Sequence, residues 1–209
     1  MKIVKASYSI LTPIEETPML KNIEAIARTC YKSENRITDN SAANMVHQLI
    51  QNEHEAMIEH ESISVRFICD RGVSHEIVRH RVASYAQEST RYCNYSKDKF
   101  GNEITVIKPC YLAEDTENYR IWKAACEALE KAYFDLLDND ATPQEARAVL
   151  PTSLKAEIVM TANLREWRHF FQLRTARAAH PQMRELACPL LRELQDRMPV
   201  VFGDLRTLR

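Results

Sequence analysis

The sequence predicts an α/β fold: a mixed sheet with flanking helices and a helical extension, in which helices predominate. Three observations predict it. "SISVRF" at 62–67 and "SLKAEIVMTA" at 153–162 alternate apolar and polar residues with the period of a half-buried strand. Other, longer segments carry apolar residues at helical spacing behind capping residues. No repeat, low-complexity tract or Gly/Ser linker divides the 209 residues, so a single domain over 1–209 is expected.

The elements follow in order. Residues 2–10 read as one strand. Thr17-Pro18 reads as an N-cap and first helical position, followed by a stripe through Leu20, Ile23, Ile26, Ala27 and Cys30. A second helix is expected from about Ser41 to His54, on Met45, Val46, Leu49 and Ile50. A strand near 62–69 puts Ile63, Val65 and Phe67 on one face. "SHEIVRH" then reads as a short helix capped by Ser74, with Ile77 and Val78 inward, and the polar run to Tyr92 as a loop.

"EITVIK" suggests a strand near 103–108, and 116–138 a long helix through Trp122, Ala125, Leu129, Ala132 and Leu136. "TPQE" at 142–145 is a capping box with Pro at the first helical position. After the alternating strand of Leu154, Ala156, Ile158 and Met160, Asn163 with Glu166 forms a second capping-box pattern, opening a helix to about Arg174. Pro181 opens a last helix, which Pro189 is expected to disturb.

Composition narrows function. The net charge is -1, which does not suggest a nucleic-acid coat protein, and no nucleic-acid partner is expected. The start, "MKIVKASYSIL", lacks the apolar run of a secretory or membrane segment. Six scattered cysteines with no CxxC pair read as reduced thiols, so a cytoplasmic protein without a membrane partner is expected. With only three glycines, neither GxGxxG nor a P-loop is present. No HExxH or acid triplet occurs, so no metal is expected. Glu55, Glu59 and Glu61 read as a solvated face.

Arg outnumbers Lys and concentrates in two places. In "RHRVASYAQESTRY" at 79–92, Arg79 and Arg81 flank His80, and Arg91 closes the run. A solvated basic patch would explain a lone Arg pair. Here the arginines sit among Ile77, Val78, Val82 and Ala83, with Ser84, Tyr85, Gln87, Ser89 and Thr90 as neutral donors, which suits a phosphate ester. The second cluster, "NLREWRHFFQLRTARAAHPQMRELA", begins at Asn163. Trp167, Phe170 and Phe171 read as core. The helix start at Asn163 to Arg165 suits a pyrophosphate or flavin edge.

These residues resemble the flavin-dependent thymidylate synthases, whose signature reads RHR, seven free residues, then Ser: here Arg79-His80-Arg81 and Ser89. "EHESISVRF", "GVSHEIVRH", "ARAVLP" and the Asn163 segment extend the resemblance over about 59–187, in order. Many members carry Asn-Glu where this chain has Ala86-Gln87, Gln where Glu76 stands, and a Gln near His180.

The resemblance implies the thymidylate synthase-complementing protein fold. It implies reductive methylation of dUMP to dTMP, with methylenetetrahydrofolate as carbon donor and FAD reduced by NADPH. It implies a homotetramer with shared sites. Ser62, Arg79, His80 and Arg81 would contact FAD, as would Asn163, Leu164, Arg165 and His169. Glu76, Ile77, Val78, Arg79 and Arg174 would hold dUMP. Gln87, Glu88, Ser89, Thr90, Arg91 and Arg147 would reach dUMP bound mainly to a neighbouring subunit.

Arg174 is the expected activating residue, stabilising negative charge on the pyrimidine. No His-acid pair stands beside Ser89 in sequence, so Ser89 is assigned to ligand binding. Two other readings stay open on residues alone. One is a single-strand-binding module using the Arg clusters with Tyr85, Tyr92 and Tyr95; the other is a flavin-free nucleotide phosphohydrolase. An absorption spectrum separates all three.

Overall fold

A computed structural model describes residues 1–206. The architecture is mixed α/β, as the alternation and helical stripes predict. Six strands and eight α-helices occur among the described residues. The strands form a two-stranded sheet, β1 (Lys2–Val4) with β5 (Thr105–Ile107) in parallel, and a four-stranded sheet. The latter runs β2 (Ser7–Ile10), β3 (Ser62–Asp70), β6 (Lys155–Asn163), β4 (Ala83–Gln87). None of the described helices is long and apolar enough to cross a membrane.

The chain divides into two compact units, and β2, β3, β4 and β6 each contribute residues to both. The first comprises Met1–Tyr8, Arg66–Arg79 and Tyr85–Val159. It contains α3 (Arg71–Ile77), α4 (Glu117–Asp138) and α5 (Pro143–Ala146). Its core gathers Tyr95, Ile104, Val106, Cys126, Tyr133 and Leu154, all buried. Burying one such aliphatic side chain stabilises by roughly 1.5–3 kcal/mol. The N-terminal amine pairs with Glu130 at 3.0 Å and Glu103 at 3.2 Å, tying β1 down.

The second unit comprises Ser9–Val65, His80–Ser84 and Met160–Arg209. Here α1 (Glu16–Thr29) packs on α2 (Ser41–Gln51), α6 (Leu164–Arg174) on α7 (Pro181–Arg197), and α2 on α8 (Pro199–Phe202). Trp167, Phe170, Phe171 and Phe202 form its aromatic centre, with Trp167–Phe170 centroids 5.3 Å apart and Phe171–Phe202 5.9 Å apart. The indole N–H is not left unpaired by this burial: it donates to the Ile63 carbonyl at 3.0 Å.

Several expectations need correction. Residues 2–10 form two strands, β1 and β2, because each end finds its partner in a different sheet. Helix α1 starts at Glu16, placing Pro18 third, where the missing N–H has no intrahelical partner to lose. Helix α2 stops at Gln51, and the chain turns at Glu53, whose φ is 58°.

The cap of α3 is Asp70, not Ser74: its carboxylate accepts the Val73 N–H at 2.7 Å. Ser74 lies one turn further on, buried. Val78 is exposed, since α3 ends at Ile77 and only the latter faces the core. The polar run after Arg81 is partly strand, β4, the end strand of its sheet. Helix α7 continues through Pro189, since the packing of Leu186, Leu190 and Leu194 holds the turn that proline weakens.

Candidate active site

In the second unit the site is built along α6. Asn163 caps this helix, its Oδ1 accepting the Glu166 N–H at 2.8 Å. The expected reciprocal bond from Glu166 back to the cap does not form. The Glu166 carboxylate turns instead to Nδ1 of His80, 2.9 Å away. On the other side of the same ring, Nε of Arg174 donates to His80 Nε2 at 3.0 Å. One buried imidazole therefore bridges the first turn of α6 to its last residue.

This geometry settles the tautomer. A guanidinium can only donate, so Nε2 must offer a lone pair, and Nδ1 carries the hydrogen given to Glu166. Burial holds the His80 pKa below its ordinary value, and the Arg174 charge adds to this; Glu166 pulls the other way without prevailing. His169 stacks edge-on against His80 with centroids 5.8 Å apart, and Phe170 covers it at 5.0 Å.

Asn163, Arg165 and His169 line a cavity of about 350 Å³ with Val82, Glu55, Glu59 and Gln172. Arg165 is half-exposed and bonds Glu59 at 2.6 Å. Arg168 is buried and bonds Glu55 at 3.1 Å and Asp204 at 2.6 Å. Glu61 accepts from Asn22 at 2.6 Å. The three acids read as a solvated face are thus specific partners of basic or amide groups. Leu164 is buried, so only its main chain could meet a ligand, and its N–H already donates to the Glu61 carbonyl. Ser62 and Arg81 are exposed.

Ligand atoms of His80, Glu166 and His169 lie within 4.8 Å of one another, a grouping the sequence spacing does not reveal. An ion there would have to displace both His80 bonds and sit beside the Arg174 guanidinium. The donor set therefore favours the hydrogen-bonded arrangement.

In the first unit, Thr90 and Arg147 line a cavity of about 600 Å³, a size that suits a small-molecule ligand. Arg147 reaches the Thr90 hydroxyl at 3.4 Å. Arg71, His75 and Gln144 also line it, and none of the three is singled out by sequence reasoning. Gln87 donates to the Ser74 hydroxyl at 3.0 Å. Glu88 pairs with Lys155 at 2.8 Å. The Ser89 hydroxyl accepts the Arg91 N–H at 3.3 Å, and Arg91 lies over the Tyr92 ring. Ile77 is buried and its carbonyl accepts from Tyr85 at 2.9 Å; Glu76 is half-buried, while Val78 and Arg79 are exposed.

Of the residues singled out in the sequence, the structure brings Asn163, Arg165, His169, His80 and Arg174 together in one unit, and Thr90 with Arg147 in the other. Sequence reasoning misses Glu166 as a partner of His80. The missed signal is an acid at the third position of a helix whose cap needs no second bond.

Comparison with known proteins bears out the family resemblance. The family described as thymidylate synthase complementing protein matches residues 14–200. The chain is 32% identical over 200 residues to a flavin-dependent thymidylate synthase of Corynebacterium aurimucosum, covering 87% of this chain and 78% of that one. A Geobacter sulfurreducens protein of the same name is 30% identical over 199 residues, covering 91% and 84%. Among solved structures, the UMP/dUMP methylase PolB from Streptomyces cacaoi, bound with 5-Br dUMP, superposes with a TM-score of 0.78. It is 22% identical and covers 97% of this chain and 96% of that one, which shows a shared fold.

Proposed function

From the premise that the chain belongs to the thymidylate synthase complementing protein family, we propose that it is a flavin-dependent thymidylate synthase, converting dUMP to dTMP. The whole of 1–209 acts as one functional domain, with methylenetetrahydrofolate donating the carbon and NADPH the reducing equivalents. The setting is the cytoplasm. The observation that carries the reading is the arrangement on α6: a capped 11-residue helix whose N-terminus, Arg165 and His169 face one cavity. Arg174, at the helix's other end, is linked to them through His80 and Glu166.

These groups fit a flavin dinucleotide. The partial positive charge at a helix N-terminus attracts a pyrophosphate. The Arg165–Glu59 pair is exposed and worth only about 0–1 kcal/mol, so a phosphate can replace the carboxylate. Bound there, the reduced flavin supplies the hydride that completes the methyl group. The protein's part is to hold ligands and to place Arg174 beside the pyrimidine, where a positive charge stabilises electron density at the reacting carbon. Ser89, Thr90, Arg91 and Arg147 would grip the nucleotide.

The 350 Å³ cavity is at the low end for a ligand site. A second chain, in a homotetramer, would supply the remaining wall. The test is direct. The purified protein should carry a flavin absorption band or acquire one with FAD, and should form dTMP from dUMP only when methylenetetrahydrofolate and NADPH are present. A colourless protein whose fluorescence ignores added FAD would overturn the reading.

A further inference from the structure

Glu166 has a place waiting for it at the cap of α6 and does not take it. The cap is complete without it, through Asn163. Its side chain, 11% exposed, lies instead against a ring that is 2% exposed. A buried carboxylate beside a buried imidazole costs desolvation that a surface position would avoid. The arrangement needs a compensating gain, and across the ring from Glu166 the Nε2 nitrogen accepts from Arg174. The Nε bond uses one of the five guanidinium donors and sets the plane of the fork.

We propose that Glu166 and His80 are positioning residues for Arg174. Glu166 fixes the Nδ1–H tautomer of His80, and the Nε2 lone pair then holds the guanidinium in the orientation that acts on the nucleotide. The geometry parallels hydrolytic triads, where a carboxylate orients an imidazole that in turn serves a third group. Without Glu166 the ring is free to carry its hydrogen on Nε2. That hydrogen would face the Arg174 Nε–H, and the two donors would separate. The catalytic consequence rests on the function proposed above; the orientation of Arg174 does not.

The test uses the full-length protein and two variants. Glu166→Leu removes the acceptor at nearly the same size. Glu166→Gln keeps an acceptor oxygen in the amide. In the Leu variant, kcat for dTMP formation should fall roughly 10- to 100-fold, the usual cost of removing a supporting partner. The KM for dUMP and FAD binding, read by flavin fluorescence, should change little. Gln should restore most of the turnover.

A crystal structure of the Leu variant should show the Arg174 Nε–His80 Nε2 contact broken. If that contact survives, the proposal is overturned whatever the activity. It is also overturned if Leu weakens FAD binding and turnover together, or if Gln is as poor as Leu, because Glu166 would then be a structural support. Where Leu does not fold, Glu166→Ala answers the same question. If the unmodified protein makes no dTMP, the proposed function fails, while the crystallographic comparison still decides the positioning role.

Discussion

Arg168 faces Asp204 fork to fork, its two Nη nitrogens 2.6 and 2.7 Å from the two carboxylate oxygens. The same buried guanidinium donates to the Val201 carbonyl and, through Nε, to Glu55. It thus ties the chain beyond α8 to the helix that carries the candidate site.

Asp204→Asn should therefore lower stability. Removing a partner from a buried charge costs about 3–5 kcal/mol. The Asp204 side chain is 54% exposed, so water screens much of this, and about 1–2 kcal/mol is expected. The Arg168 bond holds the Asp204 carboxyl below its usual range. Its contribution is present above the unfolded pKa near 3.9 and fades as pH falls through the lower folded value. Urea midpoints of the two proteins at neutral pH check this, and equal midpoints would refute it.

His80 sets a second pH dependence with its own window. A base whose folded pKa is depressed stays neutral in the fold, while the unfolded chain takes up a proton near pH 6.5. Its contribution is therefore full above about 6.5 and is lost progressively as pH falls below it. Replacing His80 by Asn, which does not titrate, should flatten this part of the stability profile. A variant whose urea midpoint declines between pH 7.5 and 5.5 as steeply as that of the unmodified protein would rule it out.

Arg174→Lys should hurt turnover more than cofactor binding. Lysine keeps the charge but has no planar fork and no Nε to meet His80. A loss on the order of 10²-fold in dTMP formation is expected, the size typical of removing a preorganised electrostatic donor. Turnover near that of the unmodified enzyme would remove Arg174 from the activating role.

No cysteine should be essential. Burial, with the Asp70 charge, pushes the Cys69 thiol up to about 12, so it is no thiolate at neutral pH. Burial also raises Cys93 and Cys126. A folded, FAD-binding variant lacking all six should still release tritium from labelled dUMP. Silence in that assay would mean a thiol nucleophile had been missed.

The proposal that sites are shared between chains makes a further prediction. Arg174→Ala and Arg147→Ala should each be nearly inactive as pure proteins. Co-refolded, they should regain part of the activity, because some mixed sites receive an intact Arg174 from one chain and an intact Arg147 from another. If mixing restores nothing, both arginines act from the same chain.

How much of this was legible depended on whether a residue's partner was local. The strand through Leu154, Ala156, Ile158 and Met160 and the capping box at Thr142 were readable because period and cap are properties of a short segment. Asn163 as a cap was readable for the same reason. The destination of Glu166 was not: its partner, His80, is 86 residues away, and an acid at that position suits a capping box equally well. Glu55 and Glu59 failed likewise, since their arginines come from α6 more than 100 residues on. Strand β4 was hidden by composition. Its alternating half-buried residues are Ala83, Tyr85 and Gln87, too polar to stand out from a loop.

Helix α6 has one more property. Its capped start and Arg174 are separated by a fixed count of residues, not by a loop or a hinge. At 1.5 Å per residue, 11 residues make a spacer of roughly 16 Å. Adding one residue would lengthen it by only about 1.5 Å but would rotate Arg174 by about 100°, away from His80 and out of register with the helix start. The distance between the capped helix start and the Arg174 guanidinium is thus written into chain length. An insertion or deletion within α6 must therefore disturb both ends at once.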